Sequence, residues 1–375
     1  MKKNFEKFIT VDPSKIVNIA GAIFYDVNDP LCKTQGGNWD TQFILPIEDS
    51  IIYKSLYEMF VNNKDWNSTE LYKLIKDPIV NKNSKCLWGC FNLPLLDKRG
   101  EHLHKLYKDI KERGVLRHEV AKRPQEIFDD EIMIAFDRNG TPLSVRNGNH
   151  RLAIAKILKL KNIPVKVYRR HEIWEETRNN IKTFCKKTWD GRTYHPIPHP
   201  DLTEIKAIWS DSKYELFKTN TDYKNGSTIL DIGSLFGYFC YKAELDGYNC
   251  TACEIDKSYL DVMKKMHKGY NMNYNIIEES FLKLKTVEYD IIFAFNILHH
   301  FLKTEALFKE LTAFLQKSKF KEMFVQFHNP AEPQMINAYK NFTHEEFAKY
   351  ILEKTGKTKF SILGEESKRK LYKIY

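Results

Sequence analysis

Asp231, Gly233, Gly237 and Glu254 form the first set of residues with chemical potential in this chain. Gly233 and Gly237 permit a tight turn and let the backbone approach a ligand, because neither carries a Cβ. Glu254 follows Asp231 by 23 residues, where an α/β nucleotide fold places the carboxylate that accepts ribose hydroxyls. The pattern is D-x-G-x-x-x-G, not the G-x-G-x-x-G of a nicotinamide site. Asp231 would repel a pyrophosphate, so a ligand with a positive sulfonium or amine fits better.

A second set, Asn296 to His300, ends a strand predicted over Asp290–Phe295, on the carboxyl edge where ligands of α/β sheets lie. If the strand continues, His299 and His300 point to opposite sides and only one faces the reacting group. A histidine near its ordinary pKa suits removing a hydroxyl proton, which makes this pair the catalytic candidates. His328 and Asn329, at the end of the next predicted strand, are secondary candidates. The competing reading makes one or both of the pair structural.

The third set is Asn147, Gly148, Asn149, His150 and Arg151. A strand that delivers a glycine, polar side chains and an arginine to a helix N-terminus builds an anion site. There the free N–H groups and the dipole face the ligand, with Arg151 at the helix start. The alternative makes Asn147 and Asn149 turn residues and His150 a cap, in a domain that only docks.

The elements that must position these residues alternate. Ile229–Ile232 is a short β-branched strand, Leu235–Leu245 has helical spacing, and Gly247 stops it. Helix Ser258–His267, strand Asn273–Ile277, strand Asp290–Phe295, helix Lys303–Gln316 and strand Met323–Phe327 follow, as a doubly wound sheet requires. Thr343 to Glu346 is a capping box, and Lys359–Leu363 and Leu371–Tyr375 are strands around a turn at Gly364–Lys370. In the other half, helices are predicted over Ser50–Asn62 and Leu96–Gly114, and Ile132–Phe136 and Pro142–Val145 form a hairpin around Asp137–Gly140. The helix Leu152–Leu160 and the strand Ile163–Tyr168 come next.

Asp231 to Gly237 resembles motif I of the class I S-adenosylmethionine (SAM) methyltransferases, and Cys253–Asp256 is similar to their next acidic motif. The resemblance covers roughly 201–375. It implies a Rossmann-like doubly wound sheet with a terminal antiparallel hairpin, SAM as cofactor, and a cofactor set of Asp231, Gly233, Gly237, Phe239, Glu254, Ser280, Phe281 and Asn296. Ser280 and Phe281 stand where the family usually has an acid for the adenine amino group; Glu279, one residue early, is the alternative. No Asn/Asp-Pro-Pro-Tyr/Trp signature of base amino-methylation follows the fourth strand, where Asn296-Ile297-Leu298-His299 stands instead.

Asn147 to Arg151, with Val11 to Ile16 as an opening strand, resembles the ParB/sulfiredoxin-like superfamily over about 7–170. That implies a smaller α+β domain that binds ATP, ADP or CTP with magnesium. Asn149 departs from the cysteine of sulfiredoxin and the acid of the partition proteins, which leaves the kinase-like version nearest; that resemblance implies that His150 and Arg151 hold or polarise phosphate oxygens, with Asp40 and Glu48 as candidate bases for an acceptor hydroxyl. The domains are expected at 1–175 and 201–375, with 176–200 as a proline-rich linker or a lid. Together the two resemblances imply a bifunctional enzyme acting on one small-molecule or glycan acceptor, with O-methyl transfer expected to a hydroxyl or a phosphate. The alternative is a DNA or RNA methyltransferase with the basic half as recognition module.

Composition bounds both readings. The 375 residues, 42% hydrophobic, suffice for two cores. The +10 formal charge is concentrated, with 13 Lys and Arg against 4 Asp and Glu from Arg146 to Arg192, a field that attracts phosphates unless it is merely a solvated face. No run of 18 apolar residues implies a membrane span, and the start lacks an apolar leader core, so a cytoplasmic location is expected. Seven cysteines, Cys86-x3-Cys90 and Cys250-x2-Cys253 among them, read as reduced buried thiols and no metal ligands.

Overall fold

The computed structural model describes residues 8–23, 30–81, 87–115, 131–145 and 147–375. Cys86 and Arg146 lie outside the described residues. Two compact units meet in sequence between Asn180 and Ile181, inside the helix Glu172–Trp189.

Among the described residues, the first unit is built on a seven-stranded mixed sheet. Its strands are β1 (Phe8–Val11), β2 (Asn18–Ala20), β3 (Lys33–Gln35), β4 (Ile44–Pro46), β5 (Met133–Phe136), β6 (Pro142–Ser144) and β7 (Ile163–His171). They run in the order β1-β7-β5-β6-β2-β4, with β3 also on β7. β5 and β6 form the expected antiparallel hairpin, and β5 lies parallel to β7. Met133 to Phe136 are fully buried, as befits a central strand covered on both faces. The helix Asn149–Ile157 starts three residues earlier than its apolar spacing implies. In Ile51–Phe60 the Ser50 side chain accepts from Tyr53 N, and Leu93–Arg113 stops at Gly114, φ 73°.

The second unit carries β8 (Thr228–Ile232), β9 (Asn249–Cys253), β10 (Asn275–Ile277), β11 (Val287–Glu288), β12 (Ile291–Phe295), β13 (Ser318–Lys319), β14 (Glu322–Gln326), β15 (Phe360–Glu366) and β16 (Arg369–Ile374). Its main sheet has the order β10-β9-β8-β12-β14-β16-β15. The first five are parallel, and β16 and β15 add antiparallel to β14. This is the Rossmann-like sheet with a terminal hairpin. The order reverses between β8 and β12, which opens a crevice beyond their carboxyl ends. Ile291 to Ala294 of β12 and Met323 to Val325 of β14 are inaccessible to solvent, at the centre of the core. Thr343 and Glu346 form the capping box. The β15–β16 turn is shorter than expected, because Ser367 and Lys368 both take positive φ, the geometry of a two-residue hairpin turn. Gly364 lies instead at a shift of register.

Residues 193–209, expected partly as linker, fold into the second unit. Thr193 N donates to Lys206 O, Ile208 N to Thr193 O and Trp209 N to Tyr194 O. Thr193, His195, His199 and Asp201 are all buried. The prolines still exclude a regular strand, so the segment folds back on itself as a strap. Among the described residues, no helix is long and apolar enough to cross a membrane.

Candidate active site

The turn after β8 is held in three left-handed residues, Gly233, Leu235 and Gly237 (φ 72°, 51° and 74°). Leu235 therefore belongs to the turn, and the helix begins at Tyr238. Gly233 N and Ser234 N both donate to Cys253 O, at 2.9 and 3.3 Å. A Cβ on Gly233 would lie 2.8 Å from Ile297 Cδ1, and one on Gly237 would collide with the Tyr274 hydroxyl. Close packing thus requires glycine at both positions.

Glu254 ties the turn to the next strand. Its Oε2 accepts from Leu235 N at 2.9 Å, and its Oε1 accepts from Ile255 N at 2.7 Å and Asp256 N at 2.9 Å. Burial pushes this carboxyl up and the three N–H groups pull it down. Asp231, 2% exposed, is pushed up to about 8 by burial and by the nearby Glu254 charge, with Cys240 Sγ donating to it at 3.9 Å. A buried acid of this kind stays protonated near neutrality until a cation approaches.

Beyond the turn, Ser234 Oγ and Asn296 Nδ2 are buried without a hydrogen-bond partner among the described residues. Ile255 is 61% exposed immediately after Glu254. The Phe239 ring packs on Phe293, Phe295 and His195, and Phe281 packs on Phe301 and Phe314. Both rings are core. Ser280 Oγ accepts from Leu282 N, capping a short turn.

The strand does not continue into the histidines. Asn296 takes φ 57° and Leu298–Leu302 forms a 3₁₀ turn, so the alternation expected of His299 and His300 is replaced by rings 4.1 Å apart between centroids. His299 is buried and His300 exposed. Burial, with the charges of His300 and Arg369, holds His299 down to about 3. His328, 5.7 Å from His299 between ring centroids, joins the cluster.

An arginine far along the chain completes it. Arg369 donates from Nε and Nη2 to the two Glu332 oxygens at 2.8 and 2.7 Å, and from Nη1 to Asn296 Oδ1 at 2.9 Å and the Tyr194 hydroxyl at 3.2 Å. Sequence reasoning missed Arg369, Glu332 and Tyr194, which lie outside every motif; the buried-strap histidines offered the nearest signal.

In the first unit, the five-residue set is brought together at the head of one helix but is turned inward. Gly148 is left-handed, φ 68°, and a Cβ there would meet the backbone of Ile132. Asn147 Nδ2 donates to Glu131 O, and Asn149 Oδ1 accepts from Ser144 Oγ. Arg151, expected to offer its charge to phosphate, is 2% exposed and donates to Glu131 Oε2 at 2.9 Å. Burial pushes His150 down to about 3, so it brings no positive charge. Asp40 is also a poor base, because Arg138 grips it through its backbone N and its guanidinium and holds its carboxyl below the ordinary value against the effect of burial.

Residues 230–319 match the family model described as a methyltransferase domain, so the second unit carries a methyltransferase domain. Among solved structures, monomeric WbdD aligns at 15% identity over 49% of this chain and 46% of that one, with a TM-score of 0.41. Another structure of WbdD, described as a bifunctional kinase-methyltransferase, aligns at 13% identity over 49% and 43%, TM-score 0.38. The magnesium protoporphyrin IX methyltransferase ChlM from Synechocystis PCC 6803, with bound SAM, aligns at 15% over 44% and 76%, TM-score 0.34. The chain spans about half the length of the WbdD structures it matches. No curated protein matches the sequence.

Proposed function

We propose that the second unit transfers a methyl group from SAM to an oxygen of a small molecule or glycan. One observation carries this reading: Ser234 Oγ, Asn296 Nδ2, His299 Nδ1 and His328 Nδ1 are all buried, and unpartnered among the described residues, at the carboxyl edge of β8, β12 and β14. Buried polar atoms are ordinarily paired, so such a group marks a ligand. The residues fit SAM. Glu254 would take the ribose hydroxyls with its remaining lone pairs, Asp231 would face the positive amine or sulfonium, and exposed Ile255 would lie against the adenine. Ser280 and Asn296 complete the set. When bound, SAM supplies an electrophilic methyl group; a neutral imidazole of the cluster of His299, His300 and His328 would receive the acceptor proton. The Asn296-Ile297-Leu298-His299 sequence favours oxygen over a nucleobase nitrogen.

Calorimetry with SAM in buffers of different ionisation enthalpy tests this. The Asp231 carboxyl is pushed up to about 8, and an approaching cation lowers it, so binding near neutral pH should release up to about one proton. The release should vanish as pH rises above that value, where the group is already ionised. Absence of SAM binding would remove the reading, and binding without proton release would move Asp231 away from the cation.

For the first unit we propose a nucleotide-binding, kinase-like role, supported by the glycine-headed helix Asn149–Ile157 and the basic stretch around it. The phosphates would meet backbone N–H groups there. Titrating the full chain with ATP, ADP or CTP and magnesium should show binding that weakens with salt. A steep logarithmic salt slope with mixed-sequence DNA or RNA, and indifference to mononucleotides, would favour the nucleic-acid reading instead.

A further inference from the structure

We infer that the methyl acceptor is an uncharged hydroxyl and that His328, through Nδ1, takes its proton; this rests on the methyl-transfer reading above. His328 follows β14 and is 1% exposed. Its Nε2 lies 3.2 Å from Asn341 Oδ1, while the Asn341 amide nitrogen donates to Pro330 O at 3.0 Å. The Asn341 oxygen therefore faces the imidazole as an acceptor, and Nε2 carries the proton. That leaves Nδ1 as a lone pair, buried and without a partner among the described residues. His344 Nε2 donates to His328 O at 2.7 Å and holds the backbone beneath the ring. His299 has a second unpartnered Nδ1, but no bond of this kind fixes its tautomer among the described residues.

The charges nearby select the acceptor. Arg369 is gripped on two edges by Glu332, so its charge is matched and it has little left to offer a phosphate. Because Asn296 Oδ1 is occupied by Arg369 Nη1, its unpartnered Nδ2 is a donor. Burial keeps His299 and His328 below their ordinary values, hence neutral. An anion would face imidazole lone pairs and a carboxylate, whereas a hydroxyl gives its proton to such a lone pair and accepts from an amide.

In the step, the acceptor oxygen forms its bond to the methyl carbon as the carbon–sulfur bond breaks and its pair stays on sulfur. The hydroxyl proton passes to His328 Nδ1, and the O–H pair stays on oxygen. The positive charge moves from sulfur to an imidazole whose neighbours include Glu332, which favours its charged form.

The full chain loaded with SAM, with ¹⁵N-labelled histidine, tests this using phenol and phenyl phosphate as probes. NMR should find His328 protonated on Nε2, with phenol and not phenyl phosphate shifting its Nδ1 resonance. His328→Asn keeps an acceptor near the Nδ1 position but cannot carry the proton, so phenol turnover should fall by roughly 10²–10⁴ with SAM affinity and the KM for phenol little changed. Asn341→Leu, which frees the tautomer, should also slow turnover, and Asn341→Asp should restore most of that loss. A proton on Nδ1, a preference for phenyl phosphate, wild-type turnover in His328→Asn, or SAM-loaded protein that leaves phenol unbound would each overturn the inference. Failure to bind SAM at all would instead strike the methyl-transfer reading beneath it.

Discussion

Glu254→Ala is expected to lose SAM and to loosen the ligand-free fold as well. In the structure the carboxylate already receives Leu235, Ile255 and Asp256 N–H groups, and a hydrogen bond to a charged group contributes about 1.5–3 kcal/mol. Leu235 is partly accessible, and water can replace part of what is lost there. A net destabilisation of roughly 3 kcal/mol and a fall in SAM affinity of about 100-fold or more are expected together. Glu254→Gln keeps an oxygen acceptor without the charge and should lie between. Thermal unfolding and calorimetry on the same samples separate the effects. An intact melting temperature would mean that the turn is held by Gly233 and Ser234 on Cys253 O alone, and unchanged SAM affinity would take Glu254 out of the ligand site.

That double role shows where sequence reasoning reached and where it stopped. The β8–turn–helix unit was legible because its chemistry is local: an apolar β-branched run, two glycines, and an acid one strand later. The alternation of strands and helices through β14 was legible for the same reason, since each element repeats its own period. What local pattern could not give was the backbone reversal at Asn296. A left-handed asparagine leaves no mark in apolar spacing, and without it His299 and His300 read as a strand pair. Arg369 was hidden differently. It lies 73 residues after Asn296 and 37 after Glu332 in sequence, and only the antiparallel return of β16 on β14 brings these three together. The first part of the strap, 193–200, read as linker or lid because prolines exclude regular structure, yet an irregular segment can still be buried when its backbone pairs with itself, as Thr193 does with Lys206 and Ile208.

In the first unit the same limit produced an expectation with a large measurable consequence. The glycine-polar-arginine sequence reads as a phosphate cradle, but Arg151 and Glu131 are each about 3% exposed in their side chains and bonded at 2.9 Å. Removing one partner of a buried ion pair leaves a charge without its match and typically costs about 3–5 kcal/mol, whereas replacing both by apolar groups of similar volume is often near neutral. Arg151→Met should therefore strongly destabilise the first unit, Glu131→Leu should do the same, and the two together should recover most of the loss. Chemical denaturation of the full chain reads all four proteins, and the double-mutant cycle isolates the pair. Equal, additive losses in the cycle would mean that the two side chains are held by other neighbours. The apolar double variant then becomes the proper test of nucleotide binding, because the single Arg151→Met variant cannot separate a lost ligand contact from a lost fold. If the phosphates meet the N–H groups at Asn149 and His150, the double variant should still bind ATP or CTP with magnesium. A folded double variant that binds neither would return Arg151 to the ligand site.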